Sequence, residues 1–494
     1  MTLSELEGHL ARAADLLRGS VDQADFKAYI FPLLFFKRIS DVYLEEYGQA
    51  LEGSGGDHEF AAFAENHRFV IPEGCMWDDL RSRTQNIGSA LVTTLNGISE
   101  ANPETLYGIF GQTSIWTNKQ TLTDTTLRDL IEHFSARPLT SARVSPDMFG
   151  QAYEYLIKRF ADQSNKAAGE YYTPRSIVAL LVNILDPSER DTVYDPACGT
   201  AGMLIGVINH VKEHDGNPRL LRGRLFGQEK VLTTSGIARM NLLLHGVDDF
   251  RITKDDTLRD PAFFDGDRLA RFDCVIANPP FSLKNWPHAT WGSDQWGRAA
   301  YGGVPPKGYA DWAWVQHMVA SSAADTGRVA VVLPQGALFR RGAEKKVRRW
   351  FLEQDLVETV IGLGPNLFYG AGLAASILVL RRTKSPERDG KVQVVNAETL
   401  FRRGRNQNTL EPEHAERILA AYQDPTGDDE LSRLVDLDEI AGNDHSLNIP
   451  LYVAGAPEEE ALSPGEALEQ LEKAHADVRA SRANLESELA KWGL

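Results

Sequence analysis

A mostly apolar run over residues 272–277 ends at Asn278, two prolines (Pro279 and Pro280) and Phe281. Because proline fixes φ and has no backbone amide hydrogen, the chain cannot continue a sheet ladder through this pair. The prolines instead hold a rigid, extended backbone whose carbonyl groups have no amide hydrogens beside them. A side-chain amide, free carbonyls and an aromatic face suit a planar heterocycle that carries an exocyclic amine. The alternative is a strand capped by a proline-rich turn.

A second candidate is the segment "DPACGTAG" (195–202), which lies between a predicted strand and a predicted helix. Gly199 and Gly202 let the backbone approach a ligand closely, and the helix start offers unpaired amides. The segment is not G-x-G-x-x-G, and no G-K-[ST] follows it, so a phosphate cradle is the weaker option. Glu229 ends the next predicted strand, where a carboxylate can accept both hydroxyls of a ribose. Asp256 lies near the end of a third predicted strand.

The elements that must position these residues change character along the chain. The first 145 or so residues are predicted to be mostly helical. Beyond them, short Val- and Ile-rich runs alternate with amphipathic helical stretches, and strands are predicted over 192–195, 225–229, 273–278, 328–334, 357–363 and 375–382. This alternation indicates an α/β fold with a doubly wound, mostly parallel sheet. Ligands of such sheets bind beyond the carboxyl ends of the strands, where Asp195, Glu229 and Asn278 are placed.

The composition narrows the class of protein further. The 494 residues carry a formal net charge of −17, so the chain should bind DNA weakly by itself, through local patches or with a partner. The densest basic segment, 340–349, is equally consistent with a solvated helix face and with a phosphate-facing surface. Three cysteines without C-x-x-C spacing, scattered histidines and no long apolar run predict a cytoplasmic protein without a metal site or membrane span.

The end of the chain has a pattern of its own. Positions three and four residues apart form a mostly apolar stripe: Leu468, Leu471, His475, Val478, Arg482, Leu485, Leu489 and Trp492. This spacing predicts a single helix with a coiled-coil seam. Such a seam on a terminal helix more often binds a partner than packs on its own domain.

Taken in order, these motifs resemble those of a known family. The segments that carry the likeness are 13–41, 168–182, 195–202, 226–246, 255–258, 277–281, 327–348 and 367–380. The chain resembles methyltransferases that act on N6 of DNA adenine with S-adenosylmethionine. It is most similar to the modification subunit of type I restriction–modification systems. The resemblance implies a helical N-terminal domain (1–145), a seven-stranded methyltransferase domain (146–455) and a C-terminal helical tail (456–494) that docks on a DNA-specificity subunit.

The resemblance also implies roles for individual residues. Those expected around the methionine end of the cofactor are Glu170, Tyr171, Tyr172, Thr173, Pro174 and Arg175. Those expected in the loop beneath the cofactor are Asp195, Gly199, Thr200, Ala201 and Gly202. Glu229 is expected to bind the ribose, and Asp256 the amino group of the cofactor adenine. Asp255 stands where this family usually has glycine, which leaves a contact shifted by one residue as the alternative.

The expected substrate is double-stranded DNA with one adenine flipped out of the helix. Its amine is a weak nucleophile, so acceptors at Asn278 Oδ1 and the Pro279 carbonyl would aim its lone pair at the methyl group, with Phe281 stacking on the base.

Expected partners are one specificity subunit for two copies of this chain and, in the full complex, a restriction and translocation subunit. The alternatives to this function are methylation of another planar amine, in protein glutamine or RNA guanine, or a non-catalytic scaffold.

The aromatic-rich segment 285–303 either lines the DNA surface or packs a long loop.

Overall fold

A computed structural model describes residues 1–22, 25–163, 173–368, 374–405, 407–424, 426, 430–454, 476, 479 and 481. The helices are α1 (Leu3–Asp15), α2 (Phe26–Gly53), α3 (His58–Ala61), α4 (Trp77–Arg81), α5 (Ile87–Ala101), α6 (Asp124–Ser135), α7 (Pro146–Gln163), α8 (Arg175–Leu185), α9 (Gly202–Glu213), α10 (Leu232–Leu244), α11 (His288–Trp291), α12 (Asp311–Ala320), α13 (Ala343–Glu353), α14 (Pro412–Gln423) and α15 (Leu437–Gly442). The strands are β1 (Val193–Asp195), β2 (Leu225–Glu229), β3 (Arg251–Lys254), β4 (Phe264–Asp265), β5 (Arg268–Leu269), β6 (Cys274–Ala277), β7 (Arg328–Pro334), β8 (Val357–Leu363), β9 (Ala375–Arg381), β10 (Lys391–Ala397) and β11 (Ser432–Asp436).

One large sheet organises the chain from residue 193 onward. Within the described residues it has nine strands in the order β11-β10-β8-β9-β7-β6-β1-β2-β3. β1 is parallel to both β2 and β6, and β9 is antiparallel to both β7 and β8. The predicted α/β, mostly parallel fold is confirmed, and the six strands predicted from the sequence are present as β1, β2 and β6–β9.

The sheet is two strands wider than the seven predicted. β10 pairs in parallel with β8, and β11 closes the sheet antiparallel to β10. Val392, Val394 and Val395 of β10 are fully buried. Without β10, the apolar strand β8 would present an unpaired edge, which is a ready template for association with another chain.

Helices cover both faces of the sheet, and each face has its own apolar core. α8, α9 and α14 pack on one face, and α12 and α13 on the other. Every residue of β6 is buried, as expected for a strand covered on both sides. The sheet therefore presents its loops, rather than its faces, to ligands.

The N-terminal helices share a core with α10 of the sheet-containing half. α10 contributes Ile237, Met240, Leu243 and Leu244 to this core, and α7 contributes Phe149, Ala152, Tyr153 and Leu156. Arg239 of α10 donates to the carbonyls of Thr105 and Tyr107 at 2.6 and 2.5 Å. Residues Met1–Val453 accordingly form one compact unit.

Two sequence predictions concern other parts of the chain. The tail helix over 456–494 lies outside the described residues, apart from 476, 479 and 481. None of the helices found in the described ranges has the length and apolar character needed to cross a membrane.

Candidate active site

The Asn-Pro-Pro-Phe segment projects from the carboxyl end of β6, in the middle of the sheet. Asn278 Nδ2 donates a hydrogen bond to Thr173 Oγ1 at 3.0 Å. Asn278 Oδ1 is buried and has no hydrogen-bond partner among the described residues. A buried acceptor without a donor is costly, so this oxygen has the capacity to accept a hydrogen bond from a ligand. Phe281 is half-buried and meets Phe368 edge to face, with ring centroids 5.9 Å apart.

The glycine loop follows β1 and leads into α9. Gly199 has φ +53° and Ala201 has φ +65°, so the loop turns through the left-handed region before the helix begins. The buried Asp195 accepts the amide of Ala197 at 3.0 Å, which fixes the start of the loop. At Gly202 an added Cβ would meet no atom within 4 Å, so the first turn of α9 faces open space.

Glu229 ties β2 to the glycine loop. Its two carboxylate oxygens accept the amides of Gly199 at 3.1 Å and Val231 at 2.8 Å. A carboxylate has about four acceptor positions, so Glu229 has acceptor capacity beyond these two amides. Asp256, beyond β3, forms an ion pair with Lys230 at 2.8 Å.

A cavity of about 550 Å³ opens at this edge of the sheet, and its size suits a cofactor. The predicted residues that line it are Thr173, Arg175, Asp195, Gly199, Thr200, Gly202 and Asn278. Glu229, Asp256, Pro279, Pro280 and Phe281 do not line the cavity, although Glu229 is bonded to the loop that does. Ala201 is fully buried in the loop, and Pro174 lines an adjoining cavity with Arg175. Glu170, Tyr171 and Tyr172 lie outside the described residues.

Burial dominates the electrostatics of the carboxyl groups. Burial and, to a smaller extent, the nearby Glu229 raise the pKa of Asp195 to about 8, against the lowering effect of the Ala197 amide. Burial also raises the pKa of Glu229, while the amides of Val231 and Gly199 and the cation of Lys27 oppose this. Positive groups on a ligand would favour the ionised form of both.

Two residues of the site were not predicted from the sequence. Asn241 of α10 donates to the Thr200 carbonyl at 2.9 Å, and its own Oδ1 is a second buried acceptor without a partner in the described structure. Glu154 of α7 forms an ion pair with Arg175. Asn241 lies in a helix that is buried nearly all round, and Glu154 lies in an amphipathic helix, so a polar residue among apolar ones is the only signal that the sequence offers.

Part of the basic segment 340–349 has structural roles. Arg348 is buried and donates to the carbonyls of His445, Ala337 and Arg340. Arg340 is paired with Asp311 and Glu344. These two arginines are therefore not free to face phosphates.

The aromatic segment 285–303 largely packs its own loop. Trp286 and Trp291 belong to a small buried cluster, and Arg298 is buried with its guanidinium 4.2 Å from the Trp291 ring centre. Of the two readings left open by the sequence, packing is confirmed for these residues. The described residues contain no group of His, Cys, Asp or Glu arranged to hold a metal ion.

The sheet order, with its antiparallel strand β9 between β7 and β8, and the ligand-facing loops define an α/β methyltransferase. Comparisons with known proteins give the particular family. Residues 144–461 match the model of the N-6 DNA Methylase family, and residues 6–134 match the HsdM N-terminal domain. The chain therefore belongs to the N-6 DNA methylase family and is an adenine-specific DNA methyltransferase of the type I modification class.

Individual relatives agree with this assignment. The type I restriction enzyme MjaVII methylase subunit of Methanocaldococcus jannaschii is 33% identical over 96% of this chain and 82% of its own length. The HindI methylase subunit of Haemophilus influenzae is 32% identical over 74% of this chain and 84% of its own. The type I methyltransferase subunit of Streptococcus thermophilus superposes with a TM-score of 0.76 at 28% identity, over 92% of this chain and all of that one.

Proposed function

We propose that the chain transfers the methyl group of S-adenosylmethionine to N6 of an adenine flipped out of double-stranded DNA, with Asn278 holding the target amine. The observation that carries the proposal is the buried Oδ1 of Asn278, which has no partner in the described structure. It lies at the carboxyl end of a central strand, where α/β sheets bind their ligands.

The residues around the cavity fit this cofactor. When bound, S-adenosylmethionine supplies an electrophilic methyl group on a positively charged sulfur. Asp195 and Glu229 offer carboxylates for the cationic end and the ribose hydroxyls, respectively. The open space beside Gly202 leaves room for backbone contact with the ligand. Asp256, which lies beyond β3 and is paired with Lys230, is assigned to the adenine of the cofactor by the family resemblance alone.

The chain's own residues hold and aim the target amine. Asn278 Oδ1 and the Pro279 carbonyl accept its two hydrogens, which draws the nitrogen lone pair away from the ring. Because Asn278 is itself anchored on Thr173, its oxygen keeps a fixed direction. Rigid placement of this kind supplies much of the rate in reactions that bring two groups together.

Phe281 provides a face for the base once it has left the duplex. Its ring is partly accessible and is held edge-on by Phe368. Stacking on an aromatic ring offsets part of the cost of unstacking the base from DNA.

The chain acts as one subunit of a larger complex. We infer that two copies bind one DNA-specificity subunit, with a restriction and translocation subunit joining the full assembly. The relatives are named as subunits of type I restriction enzymes, which supports this inference. The net charge of −17 also favours a partner that supplies much of the DNA affinity.

The decisive test separates the target site from the cofactor site. Asn278→Ala is expected to eliminate methyl transfer while leaving the cofactor dissociation constant essentially unchanged. Glu229→Ala is expected to raise that constant roughly tenfold or more, because a lost charge-assisted hydrogen bond is worth roughly 1.5–3 kcal/mol. Calorimetric cofactor titration and a methyl-transfer assay on unmethylated DNA, with nucleoside mass analysis of the product, measure both effects.

Asn217→Ala is a suitable control. Asn217 is exposed, lies before the amino end of β2 and does not line the cavity. Turnover by Asn278→Ala, or a loss of cofactor affinity as large as that of Glu229→Ala, would show that Asn278 does not hold the target amine. A methylated product other than N6-methyladenine would overturn the proposed substrate.

A further inference from the structure

The chain leaves the Asn278–Phe281 segment through an unusual conformation. Ser282, the next residue, has φ +51°, in the left-handed region that side chains other than glycine rarely adopt. Such a conformation persists only where surrounding contacts fix it. The contacts at Ser282 therefore decide how firmly the preceding four residues are held.

Asp311, the first residue of α12, holds the backbone at this point. Its Oδ1 accepts the Ser282 amide at 2.7 Å, and the side chain of Asp311 is almost completely buried. The next residue along the tip is also fixed, because the Ala310 amide donates to the Leu283 carbonyl at 3.2 Å. The start of α12 thus holds two successive residues beyond Phe281.

Arg340, from a third segment of the chain, contacts both Asp311 and Ser282. Its Nη1 donates to Asp311 Oδ2 at 2.8 Å, and its Nη2 donates to Ser282 Oγ at 3.3 Å. The guanidinium carbon lies 4.1 Å from the centre of the Tyr309 ring, and Nη1 also donates to Glu344 at 3.3 Å.

The space for this arginine is provided by Gly336. A Cβ added at Gly336 would lie within 2.7–2.9 Å of the guanidinium of Arg340. Arg340 is therefore contacted by two carboxylates, an aromatic ring, a hydroxyl and a backbone that leaves no room for a side chain.

We propose that Asp311 and Arg340 are positioning residues for methyl transfer, which act by fixing Ser282 and thereby the direction of the Asn278 amide. This inference rests on the proposed role of Asn278. Neither residue lines the main cavity, so neither is expected to contact the cofactor. Their contribution is to keep the segment from shifting when the target amine is bound.

The test uses graded variants of the full chain, assembled with its specificity subunit, on unmethylated duplex DNA. Asp311→Asn keeps an acceptor for the Ser282 amide, Asp311→Ala removes it, and Arg340→Lys keeps the charge but loses the two-pronged contact. Single-turnover methyl transfer is expected to fall roughly 10- to 100-fold in Asp311→Ala, because a misplacement of about 1 Å can cost about 100-fold. Asp311→Asn and Arg340→Lys are expected to fall between Asp311→Ala and the unaltered chain. The cofactor dissociation constant should remain unchanged in all three, which also shows that they fold.

A matched control separates positioning from stability. Glu358 is a buried carboxylate that pairs with Arg381 and Arg388 at 2.6 and 2.8 Å, in the β8 part of the sheet. Glu358→Gln is expected to lower the unfolding midpoint without changing the rate per cofactor-binding site. If the Asp311 and Arg340 variants retain the original rate, or lose it only as Glu358→Gln does, the inference is wrong.

Asn278→Ala in the same assay separates this inference from the proposed function. If Asn278→Ala is inactive while the Asp311 variants are fully active, only the positioning role fails. If Asn278→Ala is active, the proposed function itself fails, and the positioning role fails with it.

Discussion

Asp195 places a carboxyl group in a buried position beside a second carboxylate. Burial, followed by the neighbouring Glu229, raises its pKa to about 8, whereas an aspartate in an unfolded chain titrates near 3.9. Without a ligand, the raised pKa of this carboxyl group therefore favours its protonated form. A cationic ligand would favour the ionised form, so cofactor binding is expected to release a proton.

This shift makes stability depend on pH. Because the folded-state pKa is the higher one, the group's contribution to stability is fully present below about pH 4 and is lost as the pH rises through about 8. Between pH 6 and 8 the free energy of unfolding should therefore fall as the pH rises, by up to about 1.4 kcal/mol per pH unit for this carboxyl group. Asp195→Asn should reduce the slope, as measured by urea denaturation at several pH values without cofactor.

Glu344 is a second buried carboxyl group whose effect on the pH dependence of stability can be compared with that of Asp195. Burial raises the pKa of Glu344 to about 7, so it contributes to the slope in the same direction but only up to that pH. Glu344→Gln should therefore reduce the slope below pH 7 and leave it unchanged near pH 8. An Asp195→Asn variant with the original slope near pH 8 would contradict the assignment of a proton to Asp195.

At the scale of elements, one arginine joins three loops of the site. Arg298 donates to the carbonyls of Thr257 and Leu258 at 3.0 and 2.9 Å and forms a buried ion pair with Asp294. Thr257 in turn donates to the Pro196 carbonyl in the glycine loop at 2.6 Å. The loop after β3, which carries Asp256, is thus tied both to the glycine loop and to the aromatic segment.

Replacing this arginine should affect cofactor binding at a distance. Arg298→Lys keeps the charge but leaves buried carbonyls without donors, which costs roughly 1–3 kcal/mol of unfolding free energy. Because the loop that carries Asp256 is loosened, the cofactor dissociation constant should also rise severalfold. Urea denaturation and calorimetric titration measure the two effects.

Arg388→Lys serves as the control for Arg298→Lys. Arg388 is buried, paired with Glu358 and bonded to the Tyr422 carbonyl, in the part of the sheet that β10 extends. The Arg388→Lys variant should have a lower free energy of unfolding and an unchanged cofactor dissociation constant. If Arg298→Lys behaves in the same way, the three-loop contact has no role in binding.

At the scale of the whole molecule, the acidic character of the chain and its terminal seam both favour a partner. The net charge of −17 disfavours DNA binding by the chain alone. Two arginines of the densest basic segment, Arg340 and Arg348, make contacts within the chain. The stripe over 468–492 remains the predicted docking element. Sequence-specific methylation is therefore expected of the complex rather than of the isolated chain.

Removing the tail should uncouple these functions. Deletion of residues 463–494 is expected to leave the cofactor dissociation constant unchanged and to abolish co-elution with the specificity subunit, because the seam is separate in sequence from the ligand loops. Leu471→Asp with Leu485→Asp should reproduce the effect, whereas Glu472→Lys, off the seam, should not. Undiminished co-elution of the truncated chain would place the docking surface elsewhere.

The sequence alone was sufficient for the class of fold and for the positions of the ligand loops. Val- and Ile-rich runs separated by amphipathic helices predicted six strands correctly, since burial on both faces leaves a strong local signal. The motifs at the strand ends placed Asp195, Glu229 and Asn278 along the same edge. These are local patterns, each complete within about ten residues.

Only the tertiary structure decided which distant residues hold those motifs in place. Asn241, Asp311 and Arg340 contact the glycine loop or Ser282, the residue after the Asn278–Phe281 segment, from positions 29 to 58 residues away in sequence. The chemical type of each is common in helices and loops, and its role depends on the one neighbour that folding brings within hydrogen-bond distance. The same reason explains the unpredicted width of the sheet: whether a strand pairs at an edge depends on which edge is left open, and that is settled only when the whole sheet has formed.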